Sequence, residues 1–193
     1  AGVVALADTP KEEAAEVVKE LKRRGIEVWV VSGDNQITTE QIAFEVGIDN
    51  VMGGVLPANK AAKVKELQSE NKTVAMVGDG INDSPSLAQA DVGIAIGAGS
   101  DIALETADII LVKSDLRDVL TAVDLSRTTF RRIKLNFVWA FFYNAIGIPL
   151  AAGALYPLFK ISIPPAIAGL SEIFSSLPVI LFSLLLKTYK RKY

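Results

Sequence analysis

Cysteine and histidine are both missing from the 193 residues. Their absence excludes disulfides, a Cys/His zinc site, a thiol nucleophile and an imidazole base, so any catalysis falls to carboxylates, hydroxyls, lysine and a bound metal. An excess of one charge is missing too. The net charge is −2 and the charged helical stretches mix both signs, which removes the electrostatic case for DNA or RNA; no nucleic-acid partner is expected. No GxGxxG follows the first apolar run, so there is no dinucleotide fingerprint. The segment Ala1-Gly2-Val3-Val4-Ala5-Leu6-Ala7 is short, lacks a basic leader and runs straight into Asp8, which predicts a strand and not a signal peptide. Apolar residues, in contrast, are abundant. Half of the chain is hydrophobic, and the charges concentrate before about residue 134, so a soluble part followed by a membrane part is expected.

The stretch Val74-Ala75-Met76-Val77-Gly78-Asp79-Gly80-Ile81-Asn82-Asp83-Ser84-Pro85 organises the soluble part. Its apolar, β-branched start predicts a buried strand, and Pro85 opens a helix beyond a glycine-bracketed turn. Open α/β sheets place their chemistry at such strand ends. Asp79 and Asp83 can converge there on one hard cation, while Gly78 and Gly80 let the backbone approach an anion, which together describe a Mg²⁺ and phosphate site. A strand-to-helix loop capped by Asp and Asn is the alternative.

Strands are expected at Val3 to Leu6, Ile26 to Val31, Val51 to Leu56, Thr73 to Val77, Val92 to Ile96 and Ile109 to Val112. Helices alternate with them: one through Ala14, Val17, Val18 and Leu21 that ends at Gly25, one from Ile37 to Gly47, and one after Pro57 with Ala61, Val64 and Leu67 inward. This alternation predicts an α/β fold, a Rossmann-like and mostly parallel sheet covered on both faces. From Asp115 a helix with Leu116, Val119, Leu120 and Val123 runs to a basic cluster, Arg127, Arg131, Arg132 and Lys134. Beyond it, Asn136 to Phe159 carries no charge, and Ile161 to Leu186 carries only Glu172 before Lys187, Lys190, Arg191 and Lys192. The division expected is a soluble domain over 1–132 and, over 133–193, a transmembrane helical hairpin with spans at about 136–159 and 161–186 and a basic tail. Basic flanks on both sides put both ends in the cytoplasm and the turn from Tyr156 to Pro165 outside.

Ser32-Gly33-Asp34 follows the second strand, where the Ser32 hydroxyl and nearby N–H groups can hold phosphoryl oxygens; a turn capping the next helix explains the triplet equally well. Lys60 near a helix start is poorly placed for the macrodipole and invites an anionic partner. In this order, Ser32 to Asp34, Lys60 and the hexapeptide Gly78 to Asp83 resemble the (T/S)GD, lysine and GDGxND motifs of P-type ATPases, members of the haloacid-dehalogenase-like superfamily. Asp8-Thr9-Pro10-Lys11 resembles the D-x-x-K/R hinge of that family. Val92 to Gly97 and Asp108 to Leu111 continue its phosphorylation domain, so the resemblance covers essentially the whole chain. By this likeness Asp79 ligates Mg²⁺, Asp83 and Asn82 order metal and phosphate, and Ser32, Gly33, Asp34 and Lys60 line the phosphoryl group, with ATP bound mainly by segments that these residues do not include.

No D-K-T-G-T segment, no T-G-E loop and no nucleotide-binding domain occurs in the sequence. The resemblance therefore implies the carboxy-terminal part of an ATP-driven pump, with missing amino-terminal, actuator and nucleotide-binding segments as partners. Two other readings stand beside it: a membrane-anchored phosphatase with Asp8 as nucleophile, and a non-catalytic regulator. In the apolar part, Tyr143 and Asn144 in the first span and Glu172, Ser175 and Ser176 in the second are the candidate ion ligands. Tyr143 to Pro149 followed by Ala151-Ala152-Gly153 resembles the penultimate helix of heavy-metal P-type ATPases, the copper(I) branch in particular, and Ser175-Ser176 resembles the end of its M-x-x-S-S. Glu172 stands where that branch has methionine. A thioether suits Cu⁺ and a carboxylate suits Zn²⁺, so the resemblance implies Cu⁺ first and Zn²⁺ or another divalent ion as the alternative.

Overall fold

The computed structural model describes residues 9–79, 82–97, 105–160 and 164–191, the side chains of 158–159 and 165–172 excepted. Val3 to Leu6, Asp8 and the Gly80-Ile81 tip of the central loop lie outside the described residues. The chain divides into two compact units, which meet in sequence at Leu120 and Thr121.

The first unit alternates helix and strand. Helix α1 (Ala14–Arg23) buries Ala14, Val17 and Val18 at helical spacing and stops before Gly25, whose φ of 75° places it in the left-handed region. Strand β1 (Trp29–Val31) pairs in parallel with β2 (Asn50–Met52), Trp29 opposite Asn50. Between them α2 (Gln36–Val46) starts at Asn35, whose side chain accepts the Thr38 N–H at 2.9 Å, and ends at left-handed Gly47. Ala14, Val18, Ala43, Val46 and Ile48 form the core beneath this sheet, with Val28, Val30, Val51 and Leu116 against it.

Helix α3 (Pro57–Ser69) and α4 (Ser84–Gln89) flank a second parallel sheet of β3 (Ala75–Gly78), β4 (Val92–Ile96) and β5 (Ile109–Leu111). Ala75 lies opposite Val92, and Ile94 opposite Ile109. Among the described residues the strands thus form two parallel sheets where a single one is expected from the sequence.

Three expectations need correction. β2 ends at Met52 instead of Leu56, because Gly53 and Gly54 leave the ladder: Gly54 has a φ of 68°, and a Cβ on Gly53 would stand 2.6 Å from the Gln36 Cα. β1 starts only at Trp29. Strand β3, expected to be buried, is exposed at Ala75 and Val77; it is the edge of the order β3-β4-β5 among the described residues.

The helical part begins with α5 (Arg117–Ala151), one helix in which the expected helix from Asp115 and the start of the first apolar run are continuous. A change from charged to apolar side chains does not interrupt backbone hydrogen bonding. Pro149 and left-handed Gly153 end it short of Phe159, and α6 (Tyr156–Phe159) is a separate turn. Helix α7 (Pro165–Leu184) runs into a 3₁₀ turn at Leu185–Thr188. The Asn136 amide donates to the Ser183 hydroxyl at 3.1 Å, linking α5 to the last turn of α7. Among the described residues one helix, Arg117–Ala151, is long and apolar enough to cross a membrane, and Ile173–Thr188 is a shorter apolar stretch. From Leu135 to Ala151 there is no charged side chain, a length of roughly 25 Å at helical rise.

Candidate functional site

The site forms at the carboxyl ends of the parallel strands. Beyond β3, Asp79 is exposed and its Oδ1 accepts the Asn82 N–H at a long 3.4 Å. Asp83 occupies the residue before α4, and its carbonyl accepts from the Ser86 and Leu87 N–H groups at 2.9 and 2.8 Å. Its carboxylate makes no capping bond. Instead Oδ1 accepts from the Lys60 ammonium at 2.7 Å, with each side chain only 14% exposed. A Cβ on Gly78 would stand 2.5 Å from Oδ2 of Asp83. Glycine at 78 is therefore what lets this carboxylate lie back on the strand end.

Lys60 comes from the first turn of α3, which Pro57 opens with its preset φ and expendable N–H. Helix α3 is tied to α4 at its other end as well. Gln68 donates to the Gln89 carbonyl at 3.0 Å and the Gln89 amide returns a bond to Gln68 Oε1 at 2.9 Å.

Ser32, Gly33 and Asp34 sit just past β1. The Ser32 hydroxyl donates to Asp34 Oδ2 at 2.8 Å and accepts the Asp34 N–H at 3.1 Å, so the pair closes on itself. The cap of α2 is Asn35, which corrects the view that Ser32 and Asp34 serve as that cap. The Ser32 carbonyl accepts the Val55 N–H at 2.9 Å and the Asp34 carbonyl that of Gly54 at 2.5 Å, so this loop lies along the one that leads into α3 and Lys60. The structure joins Lys60 to Asp83 and Ser32 to Asp34, and no bond joins the two pairs. Gly33 has room to spare: a Cβ there would meet the Val55 carbonyl at an ordinary 3.7 Å.

Among the described residues no three acidic side chains gather around one point. Mg²⁺ does not require them, because it keeps several waters and takes one or two carboxylates plus phosphate oxygens. The exposed Asp79 carboxylate and the Asp83 carboxylate, laid over Gly78 and neutralised on one oxygen by Lys60, fit that donor set.

Sequence reasoning missed two aspartates that set the height of the strands. Asp91 precedes β4 and its Oδ2 accepts the Val74 N–H at 2.7 Å; Asp108 precedes β5 and its Oδ2 accepts the Gly93 N–H at 2.8 Å. Each latches onto the neighbouring strand at the same register. The Val74 N–H, with Gln68, holds the Asp91 carboxyl below its ordinary value. The repeated Ala-Asp before an apolar run, Ala90-Asp91-Val92 and Ala107-Asp108-Ile109, was the available signal.

Of the candidate ion ligands, Asn144 turns its amide back to the Ala140 carbonyl of its own helix at 2.9 Å. The Tyr143 ring lies 6.2 Å from that of Trp139. Ser175 is half-buried and Ser176 exposed; the Glu172 side chain lies outside the described residues. Asn144 and Ser176 make no bond to each other.

A parallel α/β unit with GDGxND at a strand end and a lysine bound to its last aspartate defines a haloacid-dehalogenase-like domain, followed here by a helical segment. Residues 1–91 match the haloacid dehalogenase-like hydrolase family. The chain is 54% identical over 189 residues to Copper-transporting ATPase HMA5 of Oryza sativa subsp. japonica, covering 98% of this chain and 19% of that protein. It is 52% identical to Copper-transporting ATPase 1 of Mus musculus, with 98% and 13% covered. The crystal structure of a zinc-transporting PIB-type ATPase in the E2.Pi state superposes with a TM-score of 0.81 at 34% identity, over 94% of this chain and 29% of that one. The chain belongs to the heavy-metal, P1B-type family of P-type ATPases. It spans about a fifth or less of the length of the two curated relatives it matches.

Proposed function

We propose that this chain supplies the Mg²⁺ and phosphate site of the phosphorylation domain, and part of the transmembrane ion path, of an ATP-driven heavy-metal cation pump. The observation that carries the reading is the Lys60–Asp83 pair at 2.7 Å, folded onto Gly78 at the end of β3. It fixes one cation and one carboxylate where a phosphoryl group and its metal are handled together. Asp79 and Asp83 are the residues that hold Mg²⁺. Bound there, the metal neutralises charge on the oxygens of a phosphoryl group in transit. Lys60 exchanges its bond to Asp83 for a phosphoryl oxygen, Asn82 and the Asp79 turn position the carboxylate, and the Ser32 hydroxyl turns from Asp34 to donate to the same group, with Gly33 leaving the approach open.

ATP is bound by other segments of the pump. The soluble domain, over about 1–132, and both ends of the helical hairpin are cytoplasmic, in keeping with the basic flanks. Cu⁺ is the favoured cargo, because the curated relatives compared above are named as copper-transporting, and Tyr143, Asn144, Ser175 and Ser176 are its candidate ligands together with Glu172. A Zn²⁺ pump is the second reading, favoured by the Glu172 carboxylate and by likeness to a structure titled zinc-transporting.

The test is ATPase activity of a pump that contains this chain, titrated with Cu⁺ and with Zn²⁺, in wild-type and Glu172→Met forms. Cu⁺ stimulation of the wild type is expected. Stimulation by Zn²⁺ alone, abolished by Glu172→Met, would make the carboxylate the selecting ligand and overturn the copper assignment.

A further inference from the structure

The basic cluster ahead of the apolar run has no part in the phosphoryl site or the ion path. Arg127, Arg131 and Lys134 fall at i, i+4 and i+7 of α5, so they share one face, and all three are exposed. Phe130 is 58% exposed between them, with the Lys134 ammonium 4.7 Å above its ring. The same face continues toward the carboxyl end of α5 as an open groove of about 560 Å³. Phe137, Phe141 and Ile148 wall it, and the small side chains of Ala140 and Ala145 leave it room. Its one polar lining residue, Asn144, has its amide turned to the Ala140 carbonyl. The groove is thus apolar along its length and positively charged at one mouth.

The Asn136–Ser183 bond brings the end of α7 to that mouth, and Lys187 and Lys190, both exposed, follow Ser183. Between Leu125 and Arg191 the sequence holds one acidic residue, Glu172. A ligand that complements this face carries a negative phosphate next to a long apolar chain. We propose that this face of α5 binds an anionic phospholipid, its phosphate between Arg131 and Lys134 and an acyl chain along Phe137, Phe141 and Ile148. The inference rests on the membrane assignment of α5 made above. Each cation near an anionic headgroup strengthens binding by about fivefold.

The chain is placed in nanodiscs of phosphatidylcholine, alone or doped with phosphatidylserine, and the lipids retained on release into the gas phase are counted by native mass spectrometry. Preferential retention of phosphatidylserine is expected, lost in Arg131→Ala/Lys134→Ala and also in Ala145→Trp, which fills the groove and leaves every charge in place. Inorganic phosphate at matched concentration is expected not to compete. Equal retention of the two lipids, or a preference that survives either variant, overturns the proposal, as does competition by free phosphate. Loss of the preference in a longer pump containing this chain would assign the groove to a neighbouring helix and overturn it as well. A chain that fails to enter phosphatidylcholine discs overturns the membrane assignment and this inference together; one that enters without lipid preference overturns only the inference.

Discussion

Removing the Lys60 charge has an effect that the geometry sets. Lys60 and Asp83 approach to 2.7 Å with each side chain 14% exposed, so the pair lies between the exposed regime, worth under about 1 kcal/mol, and the fully buried one, where deleting a partner costs about 3–5 kcal/mol. At an effective dielectric constant near 20 the attraction is about 6 kcal/mol before desolvation, which offsets most of it. A coupling of about 2 kcal/mol is the expected remainder. The singles should be unequal. Lys60→Met strands a carboxylate pinned over Gly78 and costs about 3 kcal/mol, whereas Asp83→Asn leaves an ammonium on a flexible stem that can reach water and costs about half as much. The double variant Lys60→Met/Asp83→Asn should recover the coupling. Urea unfolding of the detergent-solubilised chain in a Trp139→Phe background, so that Trp29 alone reports, measures all four corners of the cycle. Additive singles, with coupling under about 0.5 kcal/mol, would refute the half-buried pair and the site built on it.

Two glycines of the site should respond in opposite ways. Gly78→Ala drives a Cβ to within 2.5 Å of Asp83 Oδ2 and is expected to destabilise by about 1–3 kcal/mol, while Gly33→Ala, with 3.7 Å to the Val55 carbonyl, should unfold at the same urea concentration as wild type and lower phosphoenzyme formation in a pump containing it. Equal stability of the two variants would contradict the packing of Asp83 on Gly78. The Asp91 latch gives a pH dependence: the Val74 N–H, then Gln68, depress its pKa in the folded chain below 3.8. Its contribution is therefore fully present above that value and is lost as pH falls through the lower folded pKa. The stability gap between wild type and Asp91→Asn should narrow between about pH 5 and about pH 2; a gap that stays constant in acid unfolding would rule out the latch as the cause.

Local signals read well in this chain and long-range ones did not. β4 is found where an apolar run bounded by Asp91 and Gly97 predicts it, and α2 ends at Gly47 because that residue adopts a φ costly to any side chain. Helices α3 and α4 open at Pro57 and next to Pro85 for an equally local reason. The early end of β2 was hidden, because it follows from the close packing of Gly53 on α2, a contact between segments that the sequence does not align. The continuity of α5 was hidden in the opposite sense: composition changes sharply after Lys134, yet a helix has no reason to break where its surroundings change from water to lipid. In the site, Gly78, Asp79 and Asp83 were legible as a pattern, and Ser32 and Lys60 only through resemblance. The reciprocal Gln68–Gln89 pair had no signal at all, since two glutamines on separate helices meet only once α3 packs on α4.

The two aspartates of the central loop are alike in the sequence and unlike in the structure, and that difference bears on how the site works. Asp83 is mostly buried, laid against Gly78 and bound through one oxygen to Lys60, so its position is set by packing before any ligand arrives. Asp79 is exposed at the strand end, and its Oδ1 is held only by a long bond from the Asn82 N–H. A hard cation entering with its water shell meets a mobile carboxylate first and a fixed one behind it, and the fixed one already carries a compensating ammonium. Such an order suits an ion that gives up water reluctantly, because only the outer ligand must reorganise to receive it. It also explains why a lysine stands where the helix dipole disfavours one: the charge of Asp83, at 2.7 Å, outweighs the partial charge of the α3 amino terminus. The same ammonium is then in place to follow a phosphoryl oxygen when the carboxylate turns to the metal.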